Sequence, residues 1–501
     1  MEALEIREDK ELSFMEKLDD WFVGNVSFAA TNYLFNRRGV MADYRRLLKS
    51  EHFSDEQLRE IQLAKLKRLI RHANQYCPFY TERFKEIGLN PEDIRRLEDV
   101  EQIPTLSRQE VIEGCDEMVD VRFRPGLEAA RQSKLGPGQP IPWARFRRQK
   151  LVKNSSSGST GAPVISFDDG SMTAVSWAFE MRFRKWFGIN PGAREARMAR
   201  ISVDYLPNDF QIWVRKRLWH QLMLPGVNLA DKEYAFCLQK LREFRPHVLW
   251  GFTSALAGLA DYIQRKGEDA RDCTPALAIG WAAPVYEHEE KILKDVFHCA
   301  VTNIYSARET GHIAALCPEK SWHINQEHVL MESNCLPSQG EVGEVLVTPL
   351  DPVPMPFIRY RLGDFGRPAP SRCACGRTLQ VMEDFLGRTG EIFVTKDGRM
   401  IPPNFWCRFF MVDGQSQLVE RFQIIYRRPD FISLRIVKRA GYSESTEQGM
   451  RRTLGRNFSS EVHFEFEYVP EIKPQISGKY QMVVNESKNQ ELGELHDVST
   501  R

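Results

Sequence analysis

At 501 residues the chain exceeds the size at which a single hydrophobic core keeps growing, so two or more domains are expected. Its 69 basic and 68 acidic residues leave a formal charge of +1 at pH 7, which excludes a general electrostatic grip on nucleic acid or anionic lipid. Ten cysteines scattered from Cys77 to Cys407 are no short disulfide framework, and reduced thiols in a cytoplasmic protein fit them best.

The N-terminus, Glu2 to Lys10, is acidic and polar and lacks the basic start and apolar stretch of a signal peptide, so export is not expected. Trp21 to Phe35 is the most apolar early run. Asn25, Thr31 and Asn32 interrupt it, and it is shorter than the ~20 residues a spanning helix needs. It reads as a helix docked on the protein's own surface, with peripheral membrane contact as the alternative and no transmembrane segment. Ser54 followed by Gln57 predicts a capping box, with Leu58, Ile61, Leu66, Leu69, Ile70 and Ala73 at helical spacing behind it. Lys65, Lys67, Arg68 and Arg71 fall among them and read as a solvated face.

From Arg124 to Lys153 the sequence is basic and rich in Gly and Pro, a long surface connection leading into a glycine-rich loop. An α/β pattern follows: a capped helix near Ser254 to Lys266, an apolar run Ala276 to Trp281, a helix about Tyr286 to Phe297, then Val301 to Tyr305. Strands alternating with helices predict a largely parallel sheet, and Tyr305 to Gly311 would leave the end of a strand, where open α/β sheets bind ligands. After Arg388 the texture changes. A Lys396-Asp397-Gly398 turn, two β-rich runs around Arg427 to Asp430, a helix near Thr446 to Asn457 and the alternation Val462, Phe464, Phe466, Tyr468 predict a small α+β unit. The fold class is therefore α/β, with mixed or parallel sheets in a large N-terminal domain and a small α+β C-terminal domain. The expected boundaries are 1–386, 387–490 and a tail at 491–501.

The strongest local signal is Ser155 to Pro163, a run of hydroxyls and glycines. Glycines let a backbone approach an anion closely, and the N–H groups and hydroxyls of Ser156, Ser157, Gly158, Ser159, Thr160 and Gly161 can donate to phosphate oxygens. The run has neither Walker A spacing nor a lysine after Gly161, which removes the main support for a kinase or GTPase. Downstream stand Tyr305-Ser306-Ala307-Arg308-Glu309-Thr310-Gly311, Ile358-Arg359-Tyr360-Arg361-Leu362-Gly363-Asp364, Gly387-Arg388 and Ser477-Gly478-Lys479.

The five segments, in this order, resemble the motifs of the adenylate-forming (acyl-activating) enzymes. Ala73 to Leu106, with Pro78-Phe79-Tyr80 and Ile103-Pro104-Thr105-Leu106, resembles the phenylacetate-CoA ligase branch, and the resemblance runs from about Gln57 to about Val484. It implies ATP-dependent conversion of a carboxylic acid to acyl-AMP with pyrophosphate release, followed by transfer to a thiol acceptor, coenzyme A. It also implies roles: Glu309 as Mg²⁺ ligand, Asp364 accepting the ribose hydroxyls, Tyr305 beside the adenine, Arg388 at a hinge, and Lys479 as the catalytic cation between carboxylate and phosphate. Ser306 departs from the usual glycine, Ala162 from a frequent lysine, and Ala283-Pro284 from a glutamate-proline pair.

Cys317, His323, Cys373 and Cys375 supply three thiolates and one imidazole, the ligand set of a closed structural zinc site. Some members of the branch carry a similar site here. Two other functions stay open: adenylation with transfer to a carrier protein, amine or hydroxyl in glycan or natural-product synthesis, and a non-catalytic assembly protein retaining the fold. A homodimer also stays open. Trp250, Phe252 and Trp281 read as core aromatics before they read as a substrate pocket.

Overall fold

The computed structural model describes residues 14–31, 39–128, 151–155, 164–199, 209–227, 229–335, 343–351, 354–370, 373–388, 393–394, 400–401, 405–406, 409–410, 418–428, 430–458, 461–472 and 482–486. The chain divides into two units, the first holding most of residues 1–383 and the second 286–288, 363–366 and 384–501.

The first unit begins with helix α1 (Phe14–Phe22) and a π-turn at Val23–Ser27. This segment docks on the protein through buried Val23, Gly24 and Phe28. A Cβ on Gly192 would lie 1.8 Å from the Asp20 carbonyl oxygen, and one on Gly24 would lie 2.4 Å from that of Pro191. Two glycines are therefore what allow these backbones to meet. Met15, Leu18, Trp21, Phe22 and Val26 remain exposed. The expected docking helix is thus present over the described part of its range, and residues 32–35 lie outside it.

Helices α2 (Val40–Ser50), α3 (Asp55–Tyr76) and α4 (Pro78–Glu86) follow. Ser54 and Gln57 form the predicted capping box, a motif worth about 1 kcal/mol to a helix start. Leu58, Leu66, Leu69, Ile70 and Ala73 are buried as their spacing predicts, each leucine or isoleucine contributing about 1.5–3 kcal/mol by leaving water. Ile61 is only half-buried, and Gln62 takes the buried position beside it, donating to the Val329 carbonyl at 2.9 Å. Lys65 corrects the expectation of a solvated charged face. Its Nζ lies 2.6 Å from the Glu327 carbonyl and 3.1 Å from an Asp351 carboxylate oxygen.

The hairpin β1 (Val152–Ser155) and β2 (Ile165–Asp168) flanks the glycine-rich run and leads to helix α5 (Ser171–Lys185). Among the described residues the central sheet has eleven strands. Its parallel part comprises β3 (Glu195–Ala199), β4 (Gln221–Pro225), β5 (Val248–Phe252), β6 (Leu277–Trp281) and β7 (Ala300–Ala307), in the order β4-β3-β5-β6-β7. Helices α6 (Asp209–Leu218), α7 (Asp231–Phe244), α8 (Thr253–Lys266) and α9 (Glu287–Phe297) alternate with them, the last two where the sequence pattern predicts them. No side chain caps the start of α8: its first residue, Thr253, turns its hydroxyl to the Ala283 carbonyl at 3.0 Å instead.

Beyond β7 the sheet turns antiparallel through β8 (Gly311–Leu316) and β9 (Trp322–Ile324), and continues through β13 (Val381–Arg388), β12 (Tyr360–Ala369), β11 (Gly343–Pro349) and β10 (Val329–Asn334). Trp250 is core, and Phe252 stacks face to face on Trp281 with ring centroids 5.2 Å apart, so these aromatics pack on protein.

In the second unit, β16 (Val419–Arg428) and β17 (Phe431–Lys438) form an antiparallel pair. It is extended by β18 (His463–Tyr468) beside β17 and β19 (Val483–Asn485) beside β16, with helix α10 (Glu444–Asn457) packed on the sheet. A short pair, β14 (Phe393–Val394) and β15 (Met400–Ile401), and an aromatic core of Trp406, Phe410, Phe422, Tyr426 and Phe458 complete it. The Lys396-Asp397-Gly398 turn lies outside the described residues. Among those described, no helix is long and apolar enough to cross a membrane.

Candidate functional site

Strand β7 is the last of the five parallel strands, and its end brings two candidate residues together. Tyr305 lies in the strand, and Glu309 lies in the turn 308–310 that reverses the chain into β8. The strand runs two residues further than predicted, to Ala307, which pairs with Gly311 across the turn. A register shift between Tyr305 and Ser306 re-aims the side chains at this edge. Gly311 adopts φ +75°, and a Cβ there would come within 3.3 Å of His328 Nε2 and 3.4 Å of Met172, so the turn is packed tightly from below.

Glu309 is only 7% exposed. A buried carboxylate beside the carboxyl ends of a parallel sheet is a hard oxygen donor of the kind Mg²⁺ takes, so the residue present fits that ion. The turn is gripped from behind through its backbone: His328 Nε2 lies 3.2 Å from the Thr310 carbonyl oxygen, and His328 Nδ1 lies 2.9 Å from Asp351. Neither His328 nor Asp351 stands out in the sequence as a site residue. The available signal was Asn325-Gln326-Glu327-His328, four polar residues in a row between apolar strands, all of them buried.

Asp364 lies in the Gly363–Gly366 stretch of β12, which groups with the second unit, and Arg388 ends β13. Of the arginines in the same motif, Arg359 holds Glu332 at 3.0 Å and the carbonyls of Glu101 and Ile103, and Arg361 holds Glu344 at 2.8 Å. Both anchor the segment that carries Asp364. Ser156, Ser157, Gly158, Ser159, Thr160, Gly161 and Lys479 lie outside the described residues.

The second constellation is fully described. Cys317 follows β8 and His323 sits in β9, joined by a tight turn in which the Cys317 amide donates to the Ser321 carbonyl at 2.9 Å. Cys373 and Cys375 come from the turn that Gly376 closes at φ +77°. The four donor atoms all lie within 4.8 Å of one another, with Cys317 Sγ 3.6 Å from Cys373 Sγ and His323 Nε2 3.1 Å from Cys375 Sγ. Bonds of about 2.0–2.3 Å to one tetrahedral ion separate ligand atoms by about 3.3–3.8 Å, so the cluster is close to that geometry. His323 Nδ1 donates to the Leu379 carbonyl at 3.2 Å, which leaves the Nε2 lone pair facing the sulfurs. Burial pushes the Cys317 thiol up to about 12, and a bound cation is what would turn such a group into a thiolate.

Comparison with known proteins bears on most of the chain's length. Phenylacetate-coenzyme A ligase of Thermus thermophilus is 25% identical over 387 residues, 74% of this chain and 79% of that protein. Its namesake from Pseudomonas putida is 22% identical across 84% of this chain and 91% of its own. The chain is similar to the phenylacetate-CoA ligases along most of its length. Residues 393–486 match the family described as the CapK C-terminal domain. The fold is shared with a solved 2-hydroxyisobutyryl-CoA ligase in the postadenylation state with R3-HIB-AMP, at TM-score 0.64 and 17% identity, over 90% of this chain and 94% of that one. The α/β architecture followed by a small C-terminal α+β unit is therefore the fold of that ligase.

Proposed function

We propose that the protein activates a carboxylic acid with ATP, releasing pyrophosphate and leaving an acyl-AMP, and then transfers the acyl group to the thiol of coenzyme A. The observation that carries this reading is the buried carboxylate of Glu309 in the turn at the end of the last parallel strand, in a chain similar along most of its length to phenylacetate-CoA ligases.

In this reading Glu309 is the protein's ligand for Mg²⁺, which supplies positive charge where the phosphates need it during displacement at the α-phosphorus. Ser156, Ser157, Gly158, Ser159, Thr160 and Gly161 donate to the phosphates, Tyr305 lies against the adenine, Asp364 accepts from the ribose hydroxyls, and Arg388 serves the hinge. Lys479 brings a compact cation to the reacting carboxylate and phosphate. The cysteine and histidine cluster takes zinc, and with four protein ligands it leaves no open position for water, which makes the ion structural. It would tie the β8–β9 hairpin to the turn of Cys373 and Cys375.

The two half-reactions test the assignment separately. Lys479→Ala is expected to lower acyl-AMP formation by three orders of magnitude or more, about 4 kcal/mol of transition-state stabilisation, while still converting supplied acyl-AMP to the thioester. A folded variant that loses both steps equally would contradict the role given to Lys479.

A further inference from the structure

The turn bearing Glu309 is held by a buried relay that begins far away in sequence. Lys65 on α3 contacts both carboxylate oxygens of Asp351, at 3.1 and 3.2 Å, and Arg68 stands 4.0 Å from the same group. Asp351 lies 2.9 Å from His328 Nδ1, and His328 Nε2 lies 3.2 Å from the carbonyl oxygen of Thr310, the residue after Glu309. His328 and Asp351 are almost fully buried, 2% and 4% exposed at their side chains. Each ring nitrogen thus faces an oxygen acceptor. The ring is fixed at its own backbone too: the His328 amide donates to the Asn325 carbonyl at 2.8 Å, and its carbonyl accepts from the Leu350 amide at 2.7 Å. From the other side, Met172 and Ser176 of α5 close on Gly311 at 3.4 and 3.5 Å from where a Cβ would stand.

A three-residue turn between antiparallel strands has few backbone hydrogen bonds of its own, and the Thr310 carbonyl is one point at which this turn is tied to the interior. A hydrogen bond to that carbonyl restrains the Thr310–Gly311 peptide and, through the short turn, the backbone that carries Glu309. We propose that His328 is a positioning residue for Glu309, acting through the Thr310 carbonyl, with Asp351 and Lys65 orienting the imidazole. The proposal rests on the reading of Glu309 as the Mg²⁺ ligand. Groups that orient metal ligands in this way typically change metal affinity about 10–100-fold when removed.

Two substitutions separate the two ends of the ring. A glutamine amide reaches as far as Nε2 and can keep the bond to Thr310; an asparagine amide reaches as far as Nδ1 and can keep only the bond to Asp351. Binding of ATP, measured by calorimetry on the full chain with Mg²⁺ and again with EDTA, needs no knowledge of the acid. The expected result is that His328→Asn reduces the Mg²⁺-dependent gain in ATP affinity by about 10–100-fold, that His328→Gln keeps it within about 3-fold, and that affinity in EDTA is unchanged in both. A simple stabilising ion pair between His328 and Asp351 would give the reverse order, with His328→Asn the milder change. Equal effects of the two variants, or equal losses with and without Mg²⁺, would overturn the proposal. Glu309→Gln run alongside distinguishes the two levels. If it leaves the Mg²⁺ dependence intact, the reading of Glu309 falls and takes the proposal with it. If it removes that dependence while His328→Asn behaves as wild type, the role of His328 alone is refuted.

Discussion

Glu180, on α5, stands among groups that keep it ionised in the interior. Its carboxylate lies 3.0 Å from His312 Nε2 and 3.3 Å from Arg184, and it also contacts Arg197, whose guanidinium sits between the rings of Trp177 and Trp250 at 4.7 and 4.6 Å. Burial by itself raises the carboxyl, but Arg197, His312 and Arg184 outweigh it and hold Glu180 at about 2. The folded value is below the ordinary value of about 4.3, so the stability this group contributes is complete above about pH 4.3 and is lost as pH falls toward 2. Glu180→Gln leaves two buried guanidiniums short of a counter-charge and is expected to cost about 3–5 kcal/mol at pH 7. It should also flatten the decline in stability between about pH 4 and 2. Denaturant unfolding across that range measures both; an unchanged pH profile would show that Glu180 is not the titrating group. None of this was legible in the sequence, because Glu180, Arg197 and His312 are joined only when α5 packs on β3 and β8. Lys65 is illegible for the same reason: its partner Asp351 is 286 residues away.

At the scale of elements, short-range chemistry was readable and long-range chemistry was not. The capping box at Ser54 and Gln57 is complete within one turn, and so is the pairing of Cys373 with Cys375, which needs only a turn closed by Gly376. That Cys317 and His323 meet them depends on β9 pairing with β13, where His323 stands opposite Val381. If the cluster binds zinc, the ion ties two chain segments about 50 residues apart, and its binding energy becomes folding energy. Protein purified without chelators should then carry about one zinc per chain by elemental analysis. Cys373→Ser should lose it together with thermal stability. A metal-free chain of undiminished stability would leave the cysteines as packing residues only. The cap expected for the helix at Ser254 failed because the helix begins one residue earlier, at Thr253, whose hydroxyl donates to the carbonyl of Ala283, 30 residues away.

At the scale of the whole molecule, the alternation of strand and helix from Val248 to Ala307 and the change of texture after Arg388 were enough to outline an α/β unit followed by an α+β unit. The eleven-stranded order was not readable, because β9 to β13 join the sheet out of sequence and carry no period that announces it. The exposed stripe Met15, Leu18, Trp21, Phe22 and Val26 was hidden for a different reason: a helix half-buried by two glycines at close approach looks, in sequence, like one more apolar run. What the molecule does rests on the claim that ATP is cleaved between its α- and β-phosphates by a carboxylate. The most direct measurement supplies ATP and Mg²⁺ with a panel of carboxylic acids, phenylacetate among them, and follows pyrophosphate and AMP with and without coenzyme A. The expected result is pyrophosphate release that depends on a particular acid, with AMP liberated and a thioester formed once coenzyme A is added. Acid-dependent formation of ADP and phosphate, or no acid-dependent pyrophosphate from any member of a broad panel, would contradict it.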